Sequence, residues 1–192
     1  MKTKMTKAIL VAALFGASLG AKAQTKTTRP SDGIKLSVGV ETGLGLGNFK
    51  DTHKANLGAS AQADLPVAQQ FYLNVNAGYV NFFGKDNVLG TGYSAPDIHV
   101  LPVMAGLKFF PIENLYIQAD AGAAFALNKS TVNYSNSAAF LYVPQVGYQF
   151  SIGGKSFIDA GVRYEGTSSF DGNSAYGKIN QIGLRVAYGF GL

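Results

Sequence analysis

Gln181-Ile-Gly-Leu-Arg-Val-Ala-Tyr-Gly-Phe-Gly-Leu192 carries two chemistries in alternation. Ile182, Leu184, Val186, Tyr188, Phe190 and Leu192 take every second position, and Gly183, Arg185, Ala187, Gly189 and Gly191 stand between them. Successive side chains of a β-strand leave opposite faces of the sheet. The segment therefore reads as a strand with one apolar face and one small or charged face. Strands of membrane-spanning barrels have this character, apolar toward lipid and polar toward the lumen.

The same alternation recurs upstream, at about residues 34–46, 57–65, 71–79, 99–109, 115–125, 140–150 and 158–165. With the closing segment these predict an all-β, eight-stranded antiparallel up-and-down transmembrane barrel. Such lengths suit a tilted membrane strand, which needs about 9–11 residues. Polar connections centred near Asp51, Leu89, Val132 and Asp171 alternate with tight turns at 66–70, 111–114 and 151–156. Outer-membrane barrels place short turns in the periplasm and long loops outside, so these four long loops are expected to face out. Pro102 and Pro144 fall inside strands, where each lacks a ladder donor, and a bulge or a missing bond is expected at each.

Charge parity separates this reading from a soluble sandwich, which also alternates. Lys35, Glu41, Asp64, Lys108, Asp120, Asp159, Arg163, Glu165 and Arg185 all take the inward parity, and every other charge of the mature chain falls in the lead-in, a loop or a turn. A Lys or Arg on the lipid face at mid-membrane costs about 2–4 kcal/mol, which enforces such a split. The inward face otherwise reads as Gly, Ala, Ser, Asn and Gln, small enough for a narrow interior. Aromatic residues gather near both strand ends, Phe71, Phe109, Phe150, Tyr188 and Phe190 toward the turns and Tyr79, Phe125, Phe140, Tyr142 and Tyr164 toward the loops, as interfacial belts do.

The start of the chain reads as an export signal at residues 1–23. Lys2, Lys4 and Lys7 precede an apolar stretch, Ala8 to Leu19, and Ala21-Lys22-Ala23 is a small-x-small cleavage site. The apolar stretch falls short of the roughly 20 residues that span a bilayer as a helix. Residues 24–33 form a polar periplasmic lead-in, and 34–192 form the barrel. The formal net charge of +5 comes from 16 basic and 11 acidic residues. Removing Lys2, Lys4, Lys7 and Lys22 leaves twelve bases against eleven acids, so no basic surface for nucleic acid is implied. With no Cys, disulfides, thiolate chemistry and a lipid-anchored start are excluded.

The signal ending Ala21-Lys-Ala-Gln24, the run Leu101-Pro-Val-Met-Ala-Gly-Leu-Lys-Phe-Phe110, the run Tyr142-Val-Pro-Gln-Val-Gly-Tyr-Gln-Phe150 and the terminal strand together resemble the small OmpA/OmpX-type outer-membrane barrels, most of all the outer-membrane β-barrel domain family of Bacteroidota. The resemblance implies the outer membrane of a Gram-negative bacterium, with outer-membrane lipid and the barrel-assembly machinery as partners. Arg185, Ala187, Phe190 and Leu192 resemble the signal that this machinery reads. The family pattern favours Gly where Ala187 stands and an aromatic residue where Leu192 stands.

Catalysis finds little to work with. His53 sits in the first long loop and His99 at the loop end of the fourth strand, without metal-ligand spacing to Cys or His. Asp97 and His99 are a fragment of a catalytic set with no Ser tied to them. No enzyme, cofactor or metal is expected. The inward charges are expected to pair within the lumen, Arg163 and Arg185 seeking Asp159, Glu165, Glu41 and Asp120. Binding residues concentrate on loops, and Phe49, Phe83, Tyr93, Tyr134, Phe170 and Tyr176 are the candidates for contact with an extracellular ligand or protein. The role expected is non-enzymatic, in envelope integrity or surface binding. The alternatives are a narrow channel for small or hydrophobic solutes, a lipid-modifying barrel and a secretion-system accessory.

Overall fold

The computed structural model describes residues 33–172 and 177–192. The export signal, nearly all of the lead-in and Tyr176 lie outside the described residues. Eight strands form the barrel: β1 (Lys35–Gly45), β2 (His53–Ala68), β3 (Phe71–Gly84), β4 (Ile98–Phe109), β5 (Leu115–Ala126), β6 (Ala138–Gly153), β7 (Ser156–Thr167) and β8 (Asn180–Gly191). A one-turn helix, α1 (Phe49–Thr52), crosses the first loop. Each strand pairs antiparallel with its sequence neighbour, and β8 closes on β1. Closure leaves no unpaired sheet edge, which a lipid environment requires.

The closing register sets Leu36 opposite Phe190, Val38 opposite Tyr188, Val40 opposite Val186 and Leu44 opposite Ile182. These rows lie outside: Val38 and Val40 are each 60 % exposed and Leu184 is 55 % exposed. The interleaved residues lie inside, where Arg185 is 0 % and Lys108 is 1 % exposed. The barrel is apolar outside and charged within, the reverse of a soluble protein. Thr42, the one polar member of the outer row of β1, turns its hydroxyl onto the Asn56 carbonyl at 2.8 Å and so presents no unpaired donor.

The strands run past the limits expected from alternation. β2 begins at His53 and carries Lys54 on its exposed loop end, where the ammonium lies 3.7 Å from Asp86. Backbone pairing needs no alternation, so ladders continue into polar rims. At both prolines the pairing skips and resumes in the same register, from Ala77–Val103 to Val80–Val100 beside Pro102 and from Tyr142–Gly166 to Gln145–Arg163 beside Pro144. The missing ladder donor interrupts pairing without inserting a residue.

The lumen departs from the expected small, polar lining. Its loop-side half is an apolar core of Val80, Phe82, Ile98, Val100, Met104, Leu141, Val143 and Ile179, joined by Phe49 and Phe170 from the loops. Polar side chains reach from the middle of the barrel into this half through Asn56, Gln181, Glu165 and Thr167. At the turn end Tyr72, Phe110 and Tyr116 form a second buried cluster. Gly147 and Gly161 make room for the Tyr116 ring, because a Cβ at either would collide with its hydroxyl.

Candidate functional site

Alternation brings charges from β1, β2, β4, β5, β7 and β8 to one interior, and closure brings them together. Lys108 Nζ lies 2.7 Å from Asp64 and 3.6 Å from Asp159. Asp159 also accepts from the Tyr116 hydroxyl at 2.7 Å and from Gln149 at 3.0 Å. Arg185 reaches toward Asp159 at 3.9 Å and donates to Ser60 at 3.0 Å and Ser37 at 3.3 Å. Arg163 pairs with Glu41 across the lumen and with Glu165 at 2.9 Å. Three of the four expected carboxylate partners of the arginines are thus engaged. Asp120 is not among them: its hydrogen bond comes from Gln118 at 2.6 Å. Lys35 sits at the turn-side mouth, its ammonium 5.1 Å from the Tyr72 ring, 5.5 Å from Phe110 and 5.7 Å from Phe157.

Both ends of this network are closed by rings and aliphatic groups. On the loop side a small cavity of about 20 Å³ remains, lined by Val80, Phe82, Val100, Ala124, Leu141 and Ile179, with Glu165 and Thr167 at its polar edge. The lumen therefore holds a salt-bridged middle between an aromatic floor and an apolar plug.

The loop aromatics divide. Phe49 is buried, stacked on His53 at 4.6 Å and set edge-on to Phe82 at 5.3 Å. Phe170 is fully buried and stacked on Tyr134 at 4.9 Å. Burial pushes the Tyr134 phenol up to about 12, with the Asp171 carboxylate adding to the shift. Phe49 and Phe170 close the barrel and offer no free face for a partner, contrary to the expectation from their polar surroundings, whereas Tyr134 stays half-buried. Phe83 extends the outer row of Tyr79 and Asn81, so it belongs to the lipid-facing surface. Tyr93 is 60 % exposed on the second loop.

Asp97 and His99 take separate hydrogen-bond partners. The Asp97 carboxylate accepts from the Gly84 amide at 2.9 Å and from Asn81 at 3.1 Å, and these donors, the amide foremost, hold it below the usual carboxylate range. His99 shares a hydrogen bond with the Tyr79 hydroxyl at 2.6 Å on the outer surface. His53 is a latch that the sequence did not disclose: its ring meets the Thr52 hydroxyl at 2.9 Å and the Pro96 carbonyl at 3.3 Å, tying the first loop to the second. In the terminal strand Arg185 and Ala187 are buried, whereas Phe190 and Leu192 face out.

No family model and no curated protein matches the chain. Solved structures do. OprG of Pseudomonas aeruginosa aligns over 84 % of this chain and 97 % of its own at 10 % identity, with a TM-score of 0.54. This chain has the fold of the eight-stranded outer-membrane barrels. Ail of Yersinia pestis, in a phospholipid nanodisc, aligns over 84 % of this chain and 100 % of its own at 15 % identity and a TM-score of 0.54. AlkL, solved in lipid bilayers, aligns over 89 % and 95 % at 13 % identity and 0.51. At these identities the likeness is one of architecture, and it agrees with an exterior that only lipid can cover.

Proposed function

We propose that this barrel sits in the outer membrane of a Gram-negative bacterium of the Bacteroidota type, exported by the signal at 1–23. We further propose that it acts without catalysis, in envelope integrity or surface binding. The observation that carries this reading is the sealed lumen. Lys108, Arg163 and Arg185 are fixed to carboxylates across it, and buried side chains close both ends. A barrel without a path has its four loops left to work with, and among the described residues Tyr93 is the most exposed of the candidate loop aromatics. Outer-membrane lipid covers the apolar band. The barrel-assembly machinery meets the terminal strand before closure, while Arg185 and Ala187 are still accessible.

Purified barrel inserted in planar bilayers tests the sealed lumen. Insertion without unitary conductance supports it. Discrete, salt-dependent conductance steps overturn it. One feature favours a second reading, a carrier for small hydrophobic solutes: the loop-side cavity is lined almost wholly by apolar side chains. Saturable binding of an apolar probe that Leu141→Trp abolishes would support that reading.

A further inference from the structure

One stretch of the outer wall is polar. Asn81 of β3 pairs with His99 of β4, and Tyr79 follows two residues toward the turn side on the same face. The Tyr79 hydroxyl lies 2.6 Å from His99 Nδ1, and the two rings stack 6.1 Å apart at 23°. Tyr79 is 45 % exposed. Around this group the outer positions are apolar and exposed: Leu57 opposite Asn81, Leu101 opposite Phe125, and Leu127. The polar group therefore stands at the loop end of the band that meets lipid.

In either tautomer the His99–Tyr79 pair keeps one donor over. If the phenol donates to Nδ1, Nε2 carries the ring proton. If Nδ1 carries it and donates to the phenol oxygen, the hydroxyl proton is left. Among the described residues neither side chain has a second hydrogen-bond partner. The nearby Asp97 carboxylate is engaged by the Gly84 amide and Asn81. A donor left unpaired beside hydrocarbon is costly, so this one draws an acceptor oxygen from the lipid. A cation stands close by. The Leu127 amide donates to the His99 carbonyl at 2.8 Å, and the His99 amide donates to Asn128 Oδ1 at 3.0 Å. These bonds hold the start of the third long loop against His99, and Lys129 is its next residue. Lys129 is exposed and enters no ion pair among the described residues. By contrast, Lys54 lies 3.7 Å from Asp86, and Lys85 donates to the Lys50 carbonyl.

We propose that His99 and Tyr79, with Lys129 above them, form a headgroup site for a phosphorylated glycolipid of the outer leaflet, an inference that rests on the outer-membrane reading above. The spare donor of the His99–Tyr79 pair takes a phosphate oxygen. Lys129 supplies the opposite charge, and the acyl chains lie along Leu101, Phe125 and Leu127. A phosphate fits better than a neutral ester oxygen, because a hydrogen bond to a charged acceptor is roughly twice as strong as a neutral one.

The test refolds the full mature chain in dodecyl maltoside, a detergent without phosphate. Lipid A is added, either carrying its phosphates or stripped of them, and the lipid retained by the purified barrel is counted by native mass spectrometry. The phosphorylated form is expected to be retained several-fold better. His99→Phe keeps an interfacial ring and removes the donor, and Lys129→Met removes the charge. Each is expected to lower that preference several-fold. Lys178→Met, between β7 and β8, removes the same charge elsewhere on the rim and is expected to leave the preference unchanged. Equal retention of the two lipids overturns the site. So does a preference that persists in His99→Phe, or one that falls as far in Lys178→Met as in Lys129→Met. The heat shift of the unboiled band separates the two readings. When that shift is present these failures strike the site alone, whereas a chain that forms no heat-shifting barrel overturns the site together with the membrane reading.

Discussion

Lys108 Nζ on β4 lies 2.7 Å from Asp64 Oδ2 on β2, and the lysine is 1 % exposed. The two strands are not neighbours, since β3 lies between them, so the pair spans part of the lumen. Breaking a buried pair by removing one partner costs about 3–5 kcal/mol, because the other charge stays behind. Lys108→Met is therefore expected to lower unfolding stability in urea by about that amount. Adding Asp64→Asn should recover part of the loss. A single variant within about 1 kcal/mol of the parent would show the pair to be solvated.

The outer surface gives a depth-dependent prediction. Val40 lies midway along β1, between Ala59 and Val186, and faces out. In lipid, Val40→Arg should cost about 2–4 kcal/mol, and Leu46→Arg at the loop rim about 0–1 kcal/mol. Equal small costs at both positions, measured by folding titration into vesicles, would contradict a lipid-facing band.

The second loop should respond to acid. The folded-state value of Asp97 lies below its ordinary one, so its ionised form is favoured by the folded loop. A depressed carboxylate contributes stability above its unfolded value, about 3.9, and loses that contribution as pH falls through the folded value. The Gly84 amide that it accepts from should lose protection, relative to its intrinsic exchange rate at each pH, below about pH 4. Asp97→Asn should show faster exchange already at neutral pH. Exchange at Gly84 that is independent of both changes would remove Asp97 from loop closure.

Phe170→Ala tests the plug. Phe-to-Ala changes in packed interiors cost about 3–5 kcal/mol, and here the loss should stay at the loop end. The amides of Asn136 and Ser168 bond to the carbonyls of Phe170 and Phe140. Both should lose protection from hydrogen exchange, while the β1–β8 ladder keeps its own. Tyr93→Ala, at an exposed site, should change neither.

The strands were legible because charge marked parity. Lys35 and Glu41 in β1, or Asp159, Arg163 and Glu165 in β7, declare which face is inner. The loop-side lumen was not legible for the same reason. Around Leu141 and Val143 outer and inner positions are both apolar, and around Val80 and Phe82 the polar Asn81 falls in the outer row, so alternation does not mark the inner face. Arg163 with Glu165 is a same-face neighbour pair and could be read from spacing. Arg163 with Glu41 depends on how far β1 and β7 are staggered at closure, which no local pattern encodes. Phe49 and Phe170 sit among polar residues, and only the folded loops reveal that they turn inward. α1 spans four residues, too few for a helical period to show.

The central claim is that the apolar face of this barrel meets lipid. Outer-membrane fractionation of cells producing the full chain, followed by a gel of boiled and unboiled samples, tests it most directly. The expected result is a band in the outer-membrane fraction that migrates fast when unboiled and slows on heating, as a closed barrel opens. A soluble periplasmic protein with no shift on boiling would contradict the claim and turn the outer rows of Val38, Val40 and Leu184 into a covered interface.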